Sequence, residues 1–203
     1  MIPLYSKPPS TVEFDGKIYP LDLAFGKVLQ YFDMLEDGDL SQADITEVAL
    51  GWFLPNTRVS RIEQSVQMQL LAKIRQEYIT MPHRSLRGKK NAKTVDFRYD
   101  SGYIYAAFMQ TYGIDLYGCA DTLQWCKFMS LFTALPEETA ISQIMSIRGR
   151  ELPAPTKSNR EEIQHLTELK LIYALPQADG GKADAQKTLN GLFDMLYEKA
   201  KKR

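Results

Sequence analysis

The sequence predicts a mainly α protein, a helical bundle with a small N-terminal β-hairpin. Three observations point there. Apolar residues recur every three or four positions along most of the chain, as one buried helix face requires. Helix start and stop residues bracket these runs. Near the N-terminus, Asp15-Gly16 sits inside a short alternating stretch, a two-residue turn signal.

That stretch, TVEFDGKIYP at residues 11–20, is the expected hairpin. Glycine accepts positive φ at the turn, and Pro20 ends the second strand. Val12, Phe14 and Ile18 are expected on its apolar side. A lone hairpin is marginal in water, so it must pack on something. A first helix is expected from about Asp22, its N-cap, with Leu23, Val28, Leu29, Phe32 and Leu35 as its stripe. Asp37-Gly38-Asp39 breaks it. Ser41 opens a second helix, with Ile45, Val48, Ala49 and Trp52 on one face, ended by Pro55. A third is expected from Val59 to Ile79, with a stripe at Ile62, Val66, Leu70, Ile74 and Tyr78.

Residues 82–95, PHRSLRGKKNAKTV, carry five Arg or Lys residues and almost no apolar face. They read as an exposed basic linker between residues 1–81, hairpin plus helices, and residues 96–203, a C-terminal helical part. Helical periodicity then resumes from about Tyr99 to Tyr112, where Gly113 is a suitable C-cap. Asp121 or Thr122 is expected to cap a helix carrying Trp125, Phe128, Met129 and Phe132, which stops at Pro136. Residues 137–148 suggest a shorter helix with Ile141, Ile144 and Met145. Leu152-Pro153-Ala154-Pro155 is an extended break. Ser158 or Asn159 caps a helix to about Ala174. A last helix is expected from Asp184, with Leu189, Leu192, Phe193, Leu196 and Ala200 on one face. No internal repeat and no low-complexity tract is visible.

The totals restrict the function classes. The chain has 203 residues, with 25 Lys and Arg against 25 Asp and Glu, a formal net charge of zero. A global pull toward nucleic acid or anionic membrane is not expected. No apolar run approaches the ~18–20 residues that span a bilayer, and MIPLYSKPPSTVEF does not read as a signal peptide. On one helix, Cys119 and Cys126 would stand ~10 Å apart along the axis, too far for a disulfide. Two unpaired thiols and no export signal suggest a reducing, cytoplasmic home.

No catalytic constellation is visible, so an enzyme, a cofactor and a metal site are not expected. The histidines are His83, in the basic linker, and His165, in a helix, without the paired spacing of a zinc site. Asp37-Gly38-Asp39 lacks the other ligands of a calcium loop and reads as a turn. Gly180-Gly181-Lys182 lacks the earlier glycine and the following Ser or Thr of a phosphate loop. Glu137-Glu138 and Glu161-Glu162 suit the positive ends of helix dipoles. The basic linker is the best nucleic-acid candidate, but no interleaved aromatics offer base stacking. Nucleic acid is therefore disfavoured.

The densest segment is DFRYDSGYIYAAFMQTYGIDL, residues 96–116, with six aromatics and three aspartates. Asp96 and Asp100 open its helix and can cap it. The aromatics read mostly as core. Phe97, Ile104 and Phe108 are expected to join Trp125, Phe128 and Phe132 in one C-terminal core. Tyrosine hydroxyls need partners if buried, so some of the tyrosines can instead form an interaction patch. Tyr99, Tyr103 and Tyr105, with Arg148 and Arg150, are the candidate partner-binding residues.

This segment, with LQWCKFMSLFTALPEETAISQIMSIRGREL after it and EFDGKIYPLDLAFGKVL near the N-terminus, resembles a small bacteriophage family catalogued as gene product fifteen. The resemblance covers most of the chain, and its motifs are of the packing type. Gln124-Trp125-Cys126 is less aromatic than the family pattern. Proteins similar to these are encoded among tail genes near the tape-measure gene. The resemblance implies a tail assembly chaperone in the host bacterial cytoplasm, absent from the mature virion. Its partners would be the tape-measure protein and the major tail protein, with self-association also open. No catalytic residue carries over. The alternatives are a structural tail or connector protein kept in the virion, and a nucleic-acid binder acting through residues 84–93.

Overall fold

The computed structural model describes residues 6–80, 93–154, 156 and 159–176. Its described elements are a two-stranded hairpin and seven α-helices, as the periodicity predicts. The basic linker, apart from residues 93–95, lies outside the described residues. So do Ser158, Gly180-Gly181-Lys182 and the expected last helix.

The chain divides into two compact units that do not follow its order. One comprises Met1–Leu86 with Phe108–Leu135, the other Arg87–Ala107 with Pro136–Arg203. The sequence instead grouped residues 96–203 together. The grouping of Phe108–Leu135 with the N-terminal residues has a physical cause. Trp125 and Phe128 meet the rings of Phe32 and Phe25 near the N-terminus, and local periodicity does not show which helix a face will meet.

In the first unit, β1 (Thr11–Phe14) pairs antiparallel with β2 (Lys17–Pro20). Asp15 and Gly16 both have positive φ, 49° and 68°, the conformation of a primed hairpin turn. The register pairs Val12 with Tyr19 and Glu13 with Ile18. Cross-strand partners share a face, so Ile18 lies with Glu13 and not with Val12. Val12 is buried, whereas Ile18 is 72% exposed. The expected apolar side was therefore wrong at Ile18, and Tyr19 stands across from Val12 instead.

Helix α1 (Phe25–Glu36) buries Phe25, Val28 and Tyr31. Helix α2 (Gln42–Phe53) starts as expected at Ser41, whose hydroxyl accepts from Asp44 N at 3.2 Å. It buries Ile45, Ala49, Leu50 and Phe53, while Val48 is exposed. The third expected helix is interrupted. Val59–Arg61 form a 3₁₀ turn, α3 covers Gln64–Ile74, and Arg75–Ile79 widen into a π turn. There Thr80 N donates to Arg75 O at 2.7 Å. The wider turn puts Ile79, and not Tyr78, into the core after Ile74. Lys73 ties this helix to the hairpin by donating to Glu13 O at 2.8 Å.

Helix α4 (Ser101–Tyr112) ends at Gly113. The glycine has φ 66°, and its N–H donates to Met109 O at 3.0 Å, a left-handed C-cap. Helix α5 (Trp125–Thr133) starts later than expected, with Gln124 and not Asp121 or Thr122 at its N-cap. The reason is long-range. Ala24 and Gln124 form an antiparallel bridge. Phe25 N donates to Leu123 O at 2.9 Å, and Trp125 N donates to Leu23 O at 2.7 Å. The chain leading into each helix thus accepts one of the other helix's first, otherwise unpaired N–H groups. The Gln124 amide accepts from Leu23 N and donates to Asp22 Oδ1. Asp22 also accepts from Lys27 at 2.6 Å. Burial opposes ionisation of Asp22, but these hydrogen bonds and the Lys27 charge outweigh it and hold the carboxyl below its usual range. Gly26 fits the crossing because a Cβ there would stand 2.9 Å from Ala120 O.

Behind this junction lies the aromatic core of the first unit. The Phe128 ring stacks on Phe25 at 4.6 Å and on Phe108 at 5.3 Å between centroids. Trp125 meets Phe32 edge-on and donates its indole N–H to Ile79 O at 2.9 Å. The expected aromatic cluster is therefore present for Phe108, Trp125, Phe128 and Phe132. Phe97 and Ile104 belong to the second unit. That unit also contains α6 (Ala140–Gly149), which buries Ile141 and Ile144, and α7 (Arg160–Ile172), which buries Leu166. Glu137 and Glu138 precede α6 in a turn, so they are not in its first helical turn. Glu161 and Glu162 do open α7.

Candidate interaction surface

The candidate surface is built in the second unit, at the start of α4. Asp96 first bends the chain. Its Oδ1 accepts from Arg98 N and Tyr99 N at 2.9 and 2.8 Å, and Lys93 approaches its other oxygen at 2.8 Å. Partial burial opposes the charge, but the Lys93 contact and the backbone donors prevail and lower the Asp96 carboxyl from its usual range.

Asp100 comes next and is 1% exposed. Its carboxylate meets Arg148, 48 residues away, in a two-pronged pair of 2.6 and 2.9 Å. Arg148 also donates to Thr94 O at 3.0 Å and to Tyr173 O at 2.6 Å. Its own carbonyl accepts from Lys170 at 2.8 Å. One guanidinium therefore joins the entry to α4, the end of α6 and the end of α7. A planar fork suits this task, because it makes parallel bonds to a carboxylate and keeps donors for carbonyls. Four donations fill most of its five N–H groups.

With Asp100 held inward, the opposite face of α4 is turned out. Ile104 and Ala107 are buried, whereas Tyr99, Gly102, Tyr103 and Ala106 are exposed. Tyr99 and Tyr103 are 59% and 45% exposed. Tyr103 lies in the first turn of α4, and Tyr99 in the turn that leads into it. The helix itself, SGYIYAAFMQTY, contains no charged residue. Its exposed face is thus uncharged, and together with Tyr99 just before it presents two aromatic rings and two phenolic hydroxyls beside the exposed Arg98.

Of the five residues expected to bind a partner, the structure puts Tyr99 and Tyr103 together on this surface. Tyr105 is half-buried and, two positions on from Tyr103, lies on another side of the helix. Arg148 is a positioning residue, committed to Asp100 and two carbonyls. Arg150 is exposed just beyond α6. Sequence reasoning missed the role of Asp100, which it treated only as a cap. No local signal tells an aspartate cap from one that awaits an arginine on another helix.

Among the described residues, no group of three or more His, Cys, Asp or Glu residues stands where it could hold a metal ion. No helix there is long and apolar enough to cross a membrane. Cys119, in the turns before α5, and Cys126, inside it, are both free thiols. Burial and then the nearby Asp115 charge push the Cys119 thiol up, away from the reactive thiolate. Asp37-Gly38-Asp39 is a turn in which Asp39 N donates to Asp37 Oδ1 at 3.0 Å.

No curated protein and no solved structure matches the chain significantly. The model of one family, described as Bacteriophage Gp15 protein, matches residues 4–175. The match takes in the hairpin, all seven described helices and both ends of the Asp100–Arg148 pair. The chain therefore belongs to the bacteriophage Gp15 protein family.

Proposed function

We propose that this bacteriophage protein is a tail assembly chaperone that binds the tape-measure protein until tail-tube subunits displace it. Membership of the Gp15 family carries the reading. The exposed rings of Tyr99 and Tyr103 supply a contact surface with the chemistry such a role needs. A holdase for a long helical protein works through weak contacts repeated many times, and releases because each is weak. Tyrosine suits that contact. It offers a large apolar ring and a hydroxyl, and few torsions are frozen on binding. An apolar helix face can lie along this surface, while Asp100 and Arg148 keep α4 rigid behind it.

Co-expression tests the proposal. A tape-measure fragment should stay soluble in the presence of this protein and copurify with it. Tyr99→Ser with Tyr103→Ser should abolish copurification and leave the fold intact, since both side chains are exposed. A fragment that aggregates equally with and without the protein would refute the reading. Purified virions should lack the chain. Its presence there in ring-like copy number would establish the connector alternative instead.

A further inference from the structure

Helix α7 is held to its unit by little apolar contact. It packs on α6, yet only Leu166 of its 13 residues is buried. Its inward stripe runs Ile163, Leu166, Lys170 and, just past its end, Tyr173, at steps of three and four. Ile163, Lys170 and Tyr173 are half-buried, and a lysine stands where the stripe would take an aliphatic side chain. On the outer side, Ile172 is 70% exposed. The shorter α6 buries two isoleucines, Ile141 and Ile144.

The polar ties of α7 to the rest of the unit lie at its C-terminal end. Lys170 donates to Arg148 O at the end of α6, and Arg148 Nε donates to the carbonyl of Tyr173, the C-cap of α7. Each helix thus has a C-terminal carbonyl satisfied by a cation from the other, where helix dipoles favour positive charge. The N-terminal end has no such tie among the described residues. Asn159, at the N-cap, makes no side-chain cap bond. Its amide accepts from Thr156 N and donates to Ala154 O, so it holds the incoming chain instead. The Arg148 bonds to Asp100 and Thr94 O do not involve α7.

We propose that α7 is a releasable strap. It opens from its N-terminal end while the Asp100–Arg148 pair stays closed, and the α6 face beneath it takes a partner's amphipathic helix in its place. Local openings are drawn from the parts of a fold with least apolar burial, and one buried leucine puts α7 among them. The clasp at its other end returns the helix to its seat. The chemistry of the seat is read from its present occupant. It takes an aliphatic side chain at the Leu166 position, neighbours three and four residues away on the same face, and a C-terminal carbonyl for Arg148 Nε. The inference does not depend on the tape-measure reading, and its test uses no tape-measure fragment.

Hydrogen exchange of the full chain reads the opening. The amides of α7 should exchange about tenfold faster than those of α6, or more. The seat is read with a fluorescent peptide of residues 159–176, titrated by anisotropy against the full chain. In the wild type, α7 is tethered at high effective concentration and keeps the peptide out. Leu166→Ser in the chain removes the one buried side chain of α7 and should raise peptide affinity about tenfold. The same serine placed in the peptide should abolish that binding. If the L166S chain misfolds beyond α7, as judged by circular dichroism, Lys170→Ala is the second test. It loosens the clasp, keeps every buried side chain, and should raise peptide affinity about threefold. Equal exchange of α7 and α6, or folded variants that bind the peptide no better than wild type, would overturn the proposal.

Discussion

Replacing Arg148 with methionine removes a guanidinium but keeps most of the side-chain stem. Asp100 would then be a carboxylate with 1% exposure, left with only the Asp96 N–H among its present donors. Arg148 is itself only 8% exposed, so solvent screens the pair little. Breaking such a buried pair from one side costs about 3–5 kcal/mol, because one charge stays buried without its partner. Domains are held by only about 5–15 kcal/mol, so the loss should be plain. Urea unfolding followed by circular dichroism reads it, and hydrogen exchange should show the opening in α4, α6 and α7. The double variant Asp100→Leu with Arg148→Met removes both charges. It should recover most of the loss, since neither partner is then stranded. An R148M protein within about 0.5 kcal/mol of wild type would refute the reasoning. Arg148 would then be as dispensable as a surface arginine and available for partner contact.

Three further outcomes follow from the first unit. Phe108→Ala should lower stability by about 3–5 kcal/mol, because Phe108 is fully buried against Phe128. Unchanged thermal melting would contradict that packing. Gly26→Ala places a Cβ 2.9 Å from the Ala120 carbonyl oxygen. It should cost about 1–3 kcal/mol by overpacking, and equal or higher stability would show that the crossing is looser than described. The Asp22 carboxyl is lowered in the folded chain, so the unfolded chain binds more protons as acid is added. Its contribution should be constant above about pH 5 and decline as pH falls through the lowered folded value. The stability gap between wild type and Asp22→Asn should narrow over that window. A gap that widens with acid would have the wrong sign.

What could be read from the sequence was local. Asp15-Gly16, the Ser41 cap and the glycine at 113 each act within a few residues, and each appears where it was placed. The helices followed because burial of one face imposes a period. The misreadings share the opposite property. Ile18 changed sides through the cross-strand register, which depends on turn length as well as alternation. Helix α5 began late because Gln124 pairs with the chain at Leu23 and Ala24, 100 residues away. Tyr78 gave its core place to Ile79 through one wide turn. The candidate surface was legible only in part. Tyr99 and Tyr103 stood out as tyrosines just before and at the start of α4, but Arg148 became a positioning residue through a carboxylate 48 positions earlier.

The junction of Ala24 with Gln124 also sets a timetable. Chains emerge from the ribosome N-terminus first, yet α1 has its first N–H satisfied by Leu123 and its Phe25 ring covered by Phe128. Roughly 50 residues separate the π turn at Ile79 from the end of α5 at Thr133. At ~5–20 residues per second, translation leaves the earlier helices without that cover for roughly 3–10 s. Throughout that interval the nascent chain exposes aromatic surface in a crowded cell. A polypeptide released before Thr133 would keep it exposed, so premature termination here yields aggregation-prone product, not a smaller working domain.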